Sequence, residues 1–528
     1  MGNVVESSVK VTPKELCDLA EKYFEGAGMP RDCTRAYALW QSAAKSGEVA
    51  GYYGMARCLA GGNGCAKDTI KAVRYYTKAA RKGYSDAMVN LGDCLIKGIG
   101  GNEDAKQAVR WFKKSVKLNN PRGHVALGDC YMKGIGIKKD VSKGIEEYKL
   151  AARQGYAPAM YTIGKCYAVG LGLKANAEKA AEWYIRAAEQ GNVDGEAAIG
   201  HCYLNGTGVT RDYNRAVYWL RVAAEAGNIP SMCSLGDCYK QGWGVPKDIN
   251  KAFELYRPGA EQDYPPAQYS IGECFYNGDS IDVDYTKAAY WFHKSASWGY
   301  VKAMYYIGLL NHDGLGVPQD FDKAFEWLSK ASEKGHVLAK YHLGRMIYYG
   351  EGCQKNVDEA VKCFQFAADH GYAEAQYSLG LTYYRGTGVP MNQTKAIELL
   401  KISANQGYHK AQVALGECYA EGVNGVSDYE QAASTLMQAY KSGNPLAEEY
   451  FAVSVNTELP VGFSKVACWL EVAAKSGKSS AQYTLGKLFH EGFGADQDDK
   501  QAIYWLEKAS WQGSTKAVTL LREIRPVQ

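Results

Sequence analysis

The sequence predicts an all-α protein, an α/α superhelical solenoid of about 14 helix-loop-helix repeats with a 36-residue period. Three observations lead there. A small residue recurs at Ala20, Ala56, Gly92, Gly128, Gly164, Gly200, Gly236, Gly272, Gly308, Gly344, Gly380 and Gly416, always 36 residues apart. Apolar residues surround it at helical spacing, and glycine pairs then interrupt the pattern. Repeats of this length stack in one dimension, each burying its apolar face on its neighbours.

Residues 1–12 read as a flexible N-terminal tail and 13–443 as repeats 1 to 12. Residues 444–477 read as a degenerate repeat 13, shorter by two residues, then 478–513 as repeat 14 and 514–528 as a capping helix and tail. The sixth regular unit shows the pattern. Met232, Leu235, Gly236 and Tyr239 form one buried helical stripe. Gly242 and Gly244 break that helix by permitting backbone angles that other residues resist. Asp248 comes next, at a position holding only Asp or Asn in the regular units from Asp32 to Asp498, as an N-cap requires. A second helix carries Ala252, Leu255 and Ala260, with Trp111, Trp183, Trp219, Trp291, Trp327, Trp469 and Trp505 at its aromatic position in sister units. Rings facing paired alanines such as Ala187 and Ala188 are expected in the core. Gly, or Asn119 and Asp263, then ends the helix in a left-handed conformation. In the degenerate unit the glycine pair is missing, and Pro460 with the deletion marks a departure by drift or by a kink.

Composition narrows the function. The formal charge of +4 is small for 528 residues and spread over every unit, so neither a nucleic-acid groove nor a basic membrane face is indicated. No apolar run is long enough for a transmembrane span, and the start, MGNVVESSVKVTPKE, lacks the pattern of a signal peptide. Gly2 is a weak myristoylation candidate, because Glu6 stands where the motif wants Ser or Thr. Eight of 15 cysteines, among them Cys58, Cys130 and Cys418, form a column with one member per unit. Helix spacing separates neighbours by about 10 Å, too far for a disulfide. Free thiols and a reducing, cytoplasmic setting are expected.

The string Ala-x-x-x-Leu-Gly-x-x-Tyr-x-x-Gly-x-Gly-Val, followed by Asp, Lys-Ala, an aromatic pair and Ala-Ala-x-x-Gly, resembles the Sel-1-like repeat family, relatives of the tetratricopeptide repeats. Residues 200–227 (GHCYLNGTGVTRDYNRAVYWLRVAAEAG) and 308–335 (GLLNHDGLGVPQDFDKAFEWLSKASEKG) match closely, and the resemblance spans roughly 13–513. It implies an adaptor or scaffold. Some cysteine-rich members pair two cysteines within a repeat, a scheme that does not transfer to a chain offering mostly one.

In a tetratricopeptide-like superhelix the first helix of each unit lines the concave face. By analogy, groove positions lie three residues before the recurring small residue and one, four and five after it. In units nine to eleven these hold Tyr305, Leu309, His312, Asp313, Tyr341, Arg345, Tyr348, Tyr349, Tyr377, Leu381, Tyr384 and Arg385. Tyr and Arg dominate binding hot spots, since they bury area and keep a polar tip. Packing of Tyr305, Tyr341 and Tyr377 against a neighbouring helix is the competing reading. Earlier units place Asp93, Asp129, Asp237 and Glu273 after the small residue, with Lys97 and Lys133 beyond, giving a more acidic, mixed surface.

Motifs for chemistry are lacking: no Gly-x-x-x-x-Gly-Lys-Ser/Thr, His-Glu-x-x-His or Gly-x-Ser-x-Gly occurs. Ser7-Ser8-Val9-Lys10 fits Ser-x-x-Lys only by chance, and His336 with His342 has the wrong spacing for one metal-binding helix face. The expectation is a non-catalytic, cofactor-free and metal-free scaffold for a protein or peptide ligand, in signalling or complex assembly, and a monomer or weak homo-oligomer. The alternative is a regulatory or activating subunit of an enzyme complex, membrane-attached through Gly2.

Overall fold

The computed structural model describes residues 11–279, 281–422, 426–451 and 463–525. Gly2, Ser7 to Lys10 and Pro460 lie outside the described residues. Two compact units divide the chain, residues 1–262 and 263–528. Each is a row of antiparallel helix pairs, and 29 helices lie among the described residues. Almost all are 13 residues long, for example Ile229–Gln241 and Ile249–Glu261 in the first unit and Val337–Tyr349 and Val357–Asp369 in the second. None is long and apolar enough to cross a membrane.

Local chemistry sets the boundaries. The Asp/Asn column caps the second helices: Asp248 accepts from the Lys251 amide at 3.0 Å and Asn356 from the Glu359 amide at 3.1 Å. That bond satisfies one of the amides left free at a helix start. Asn119 and Asp263 are the positive-φ residues other than glycine among the described residues, standing in for the glycine that ends a second helix. The second glycine of each loop has a different reason to be glycine. At Gly244, φ is +68°, and a Cβ would lie 2.5 Å from the Tyr213 carbonyl oxygen, at the start of the preceding second helix. There the loop of one repeat rests directly on the backbone of another.

The core explains the recurring small residue. A Cβ on Gly236 would meet Tyr256 at 2.5 Å, and one on Gly272 would meet Phe292 at 2.8 Å. Gly308 and Gly416 stand in the same way against Leu328 and Leu436. The large partner, buried in every case, sits eight residues after the capping Asp or Asn. This is a knob seated on a bare backbone, which close packing requires.

The tryptophans correct the sequence reading. They stand one position earlier, and Trp111, Trp183, Trp219, Trp291, Trp327 and Trp469 are only half-buried, while Trp505 is buried. The following residue takes the core because it is the one pointing at the glycine. The indole lies at the margin, where a cation one turn on covers it, as Lys114 does over Trp111 at 4.3 Å and Lys330 over Trp327 at 4.5 Å.

All 15 cysteines are free. Burial pushes the Cys58 and Cys418 thiols up to about 12, which makes them packing residues rather than nucleophiles. In the degenerate unit the first helix shrinks to Pro445–Glu448, and Tyr429–Lys441 packs instead against Lys465–Lys475.

Candidate functional site

In the second unit the first helices Val337–Tyr349 and Ala373–Arg385, with the start of His409–Glu421, frame a cavity of about 410 Å³. That volume lies in the range of pockets that take ligand side chains. Tyr341, Arg345, Tyr348, Tyr349, Tyr377, Leu381 and Arg385, seven of the groove positions singled out from sequence, line it. Their spacing explains the convergence: a residue one position after the small residue and those four and five after it fall on one side of a helix, and the next repeat presents the same side alongside.

The walls differ in burial. Tyr341 is only 5% exposed, its ring edge-on to Tyr372 at 5.0 Å, and its hydroxyl lies 3.2 Å from Ser378 Oγ. Tyr377 packs on Tyr408 at 5.3 Å. Tyr348 stands edge-on to Tyr349 at 5.2 Å, and Tyr349 is 62% exposed, with Arg345 and Arg385 also exposed. Burial, reinforced by Glu374, pushes the Tyr408 hydroxyl up to about 12, so it stays neutral and able to donate. Packed aromatic faces and hydroxyls therefore form the floor, with exposed guanidinium groups at the rim.

Five expected groove residues, Tyr305, Leu309, His312, Asp313 and Tyr384, fall outside the cavity. Tyr305 is 8% exposed and stacks on His336 at 4.7 Å, so it is a packing residue and not the exposed position the analogy gave. His312 bridges Asp313 at 2.6 Å and Glu351 at 3.1 Å, with its ring edge-on to Phe321. Tyr384 donates to Glu421 Oε2 at 3.0 Å.

Sequence reading missed Tyr408, Lys410, Glu374 and Ser378, which line the cavity together with Phe364, Thr382 and Thr387. The signal for Tyr408 was present. Tyr84, Tyr156, Tyr264, Tyr300, Tyr372 and Tyr408 all stand at the residue before a first helix, where several other repeats carry Asn, as at Asn120, Asn192, Asn228 and Asn444. Asn there caps the helix, as Asn228 does toward Ser231 at 2.9 Å. Tyr372 and Tyr408 make no side-chain cap and offer a ring instead to the tyrosine of the preceding first helix.

In the first unit a cavity of about 370 Å³ occupies the same register, lined by Asp93, Lys97, Arg122, Asp129, Lys133 and Tyr156 among others. Burial raises the Asp93 carboxyl, against the pull of Arg122 and Lys97. Asp129 accepts from the Tyr148 hydroxyl.

The Sel1 repeat model matches residues 16–48, eleven consecutive segments from 49–84 to 409–434, and 479–514, leaving the degenerate stretch between them unmatched. The chain belongs to the Sel1 repeat family. Among solved structures it is similar to c5321, described as a protective antigen present in uropathogenic Escherichia coli strains displaying an SLR fold. Identity is 28%, with 93% of this chain and 98% of that one covered, at a TM-score of 0.67. A Sel1 repeat protein from Oxalobacter formigenes is 26% identical, covering 49% of this chain and 96% of that one, at a TM-score of 0.39. No curated protein matches the chain. Sel1 repeats form a family that generally mediates protein–protein interaction.

Proposed function

We propose that this Sel1 repeat chain is a non-catalytic scaffold that captures a segment of a protein partner in the cavity of residues 341–410. The observation that carries the reading is the lining itself: five tyrosines and two arginines converge on one concavity. These residue types supply most of the energy in protein interfaces, and a preformed aromatic floor lowers the ordering cost of binding. Hydroxyls and guanidinium groups suit hydrogen bonding to a peptide, and no nucleophile paired with a base lines the cavity. Work in a reducing, cytoplasmic compartment, in signalling or complex assembly, belongs to the same reading, and the 15 free cysteines support the compartment.

Affinity capture on the intact chain beside a Tyr348→Ala/Tyr349→Ala variant tests it. Tyr349 is exposed and Tyr348 half-buried against Phe364, so the variant is expected to keep its helical content, which circular dichroism checks. A partner retained by the intact chain and lost by the variant is expected. Identical partner sets would move the binding face elsewhere on the chain.

A further inference from the structure

We propose that the cavity takes an acidic segment of the partner, with a carboxylate seated between the guanidinium groups of Arg345 and Arg385. This rests on the capture reading above and adds the partner's charge.

The charge around the cavity is unbalanced. Arg345, Arg385 and Lys410 line it against a single carboxylate, Glu374. Glu374 itself stands close to the Tyr372 and Tyr408 hydroxyls, whose titration burial and this carboxylate together raise. Among the described residues none of the three cations has an ion-pair partner. Several other cations of the same unit are taken up locally: Lys287 by Asp284 at 3.1 Å, Lys323 by Asp320 at 2.9 Å and Lys330 by Glu326 at 2.5 Å. The whole chain carries a formal charge of only +4, so the excess is a property of this site and not of a generally basic surface. The cavity of the first unit makes the contrast. There Asp93 and Asp129 offset the lysines, and Arg122 is already bound to Asp86 at 3.2 Å and Asn90 at 2.8 Å.

The tyrosines decide between kinds of anion. A strand of nucleic acid wants several free aromatic faces for its bases and a line of cations for its phosphates. Here the rings of Tyr341 and Tyr377 are engaged by Tyr372 and Tyr408, which leaves Tyr349 as the strongly exposed ring of the cavity. Neutral hydroxyls and two exposed forks fit backbone carbonyls and side-chain carboxylates, to which arginine binds with two parallel hydrogen bonds.

A random dodecapeptide array probed with the intact chain, with Arg345→Gln/Arg385→Gln and with Tyr348→Ala/Tyr349→Ala tests the proposal. Peptides that depend on the tyrosine pair should be enriched in Asp and Glu. Their affinity should fall about tenfold in the arginine variant, as expected for loss of charged hydrogen bonds, and should weaken with added salt. The exposed arginine sites keep the fold intact, which circular dichroism checks. Tyrosine-dependent peptides of neutral or basic composition would overturn the acidic inference and leave capture standing. An array with no tyrosine-dependent peptide would overturn both. A labelled thymidine oligonucleotide that outcompetes every acidic peptide through the same arginines would assign the cavity to nucleic acid and overturn the proposal.

Discussion

The ring of Tyr341 stands edge-on to Tyr372 with centroids 5.0 Å apart, so a wall of the cavity is also a joint between successive repeats. Tyr372 precedes the helix Ala373–Arg385, and Tyr341 belongs to the first helix of the repeat before. Rigid presentation of the site therefore depends on the same contact that holds the two repeats in register.

Truncation at that joint should be felt as lost order. Tyr341→Ala removes a buried ring and is expected to cost about 3 kcal/mol. Because a solenoid opens locally, the loss should show as faster amide exchange in Ala373–Arg385, by roughly a hundredfold. Tyr349→Ala, at an exposed ring, should leave exchange there within about threefold of the intact chain.

Two glycines with the same backbone sign should behave differently. At Gly83, φ is +92° and nothing lies within 4 Å of an added Cβ, so Gly83→Ala pays only for the left-handed conformation, about 1 kcal/mol. At Gly244 the added methyl would press on the Tyr213 carbonyl at 2.5 Å as well. Gly244→Ala should cost at least about 2 kcal/mol more, read as a lower midpoint in thermal unfolding. Equal midpoints would mean that the loop does not bear on the preceding helix.

Two histidines one repeat apart should pull stability in opposite directions with pH. Burial, with Arg345 and His312 nearby, lowers His342 from 6.5 to about 4. The unfolded chain binds that proton more readily, so stability present above about 6.5 is lost as pH falls toward about 4, by roughly 3 kcal/mol. At His312 burial pulls the other way but is outweighed by Asp313 and Glu351, and the pKa is raised. Its contribution is full below the ordinary value and is lost as pH rises through the raised one. Denaturation profiles should therefore peak near the ordinary histidine value. His342→Gln should flatten the acid arm alone, and Glu351→Gln should weaken the alkaline arm.

The repeat made most of the architecture legible. Strict spacing gave the helix pairs, and the Asp/Asn column gave their starts, because both follow from short-range chemistry at each unit. The tryptophans were misplaced by one position, since sequence spacing does not say which of two adjacent large residues points at the glycine backbone. For the site, helical register brought Arg345, Tyr348, Tyr349 and Arg385 onto one side. Tyr305 went astray because exposure at its position depends on the residue before the next helix, His336, which lies in another repeat. Tyr408 entered the cavity by that same cross-repeat contact, visible only as a column of tyrosines replacing capping asparagines.

Site-specific photo-crosslinking tests the central claim most directly. A benzoylphenylalanine placed at Tyr349, on the cavity margin, would be compared with one at Trp511, which is exposed as well but distant in sequence from the cavity. The account predicts a discrete partner adduct from position 349 that disappears when Arg345 and Tyr348 are also replaced, and none of that mass from position 511. The same adduct from both positions, or from 511 alone, would contradict it.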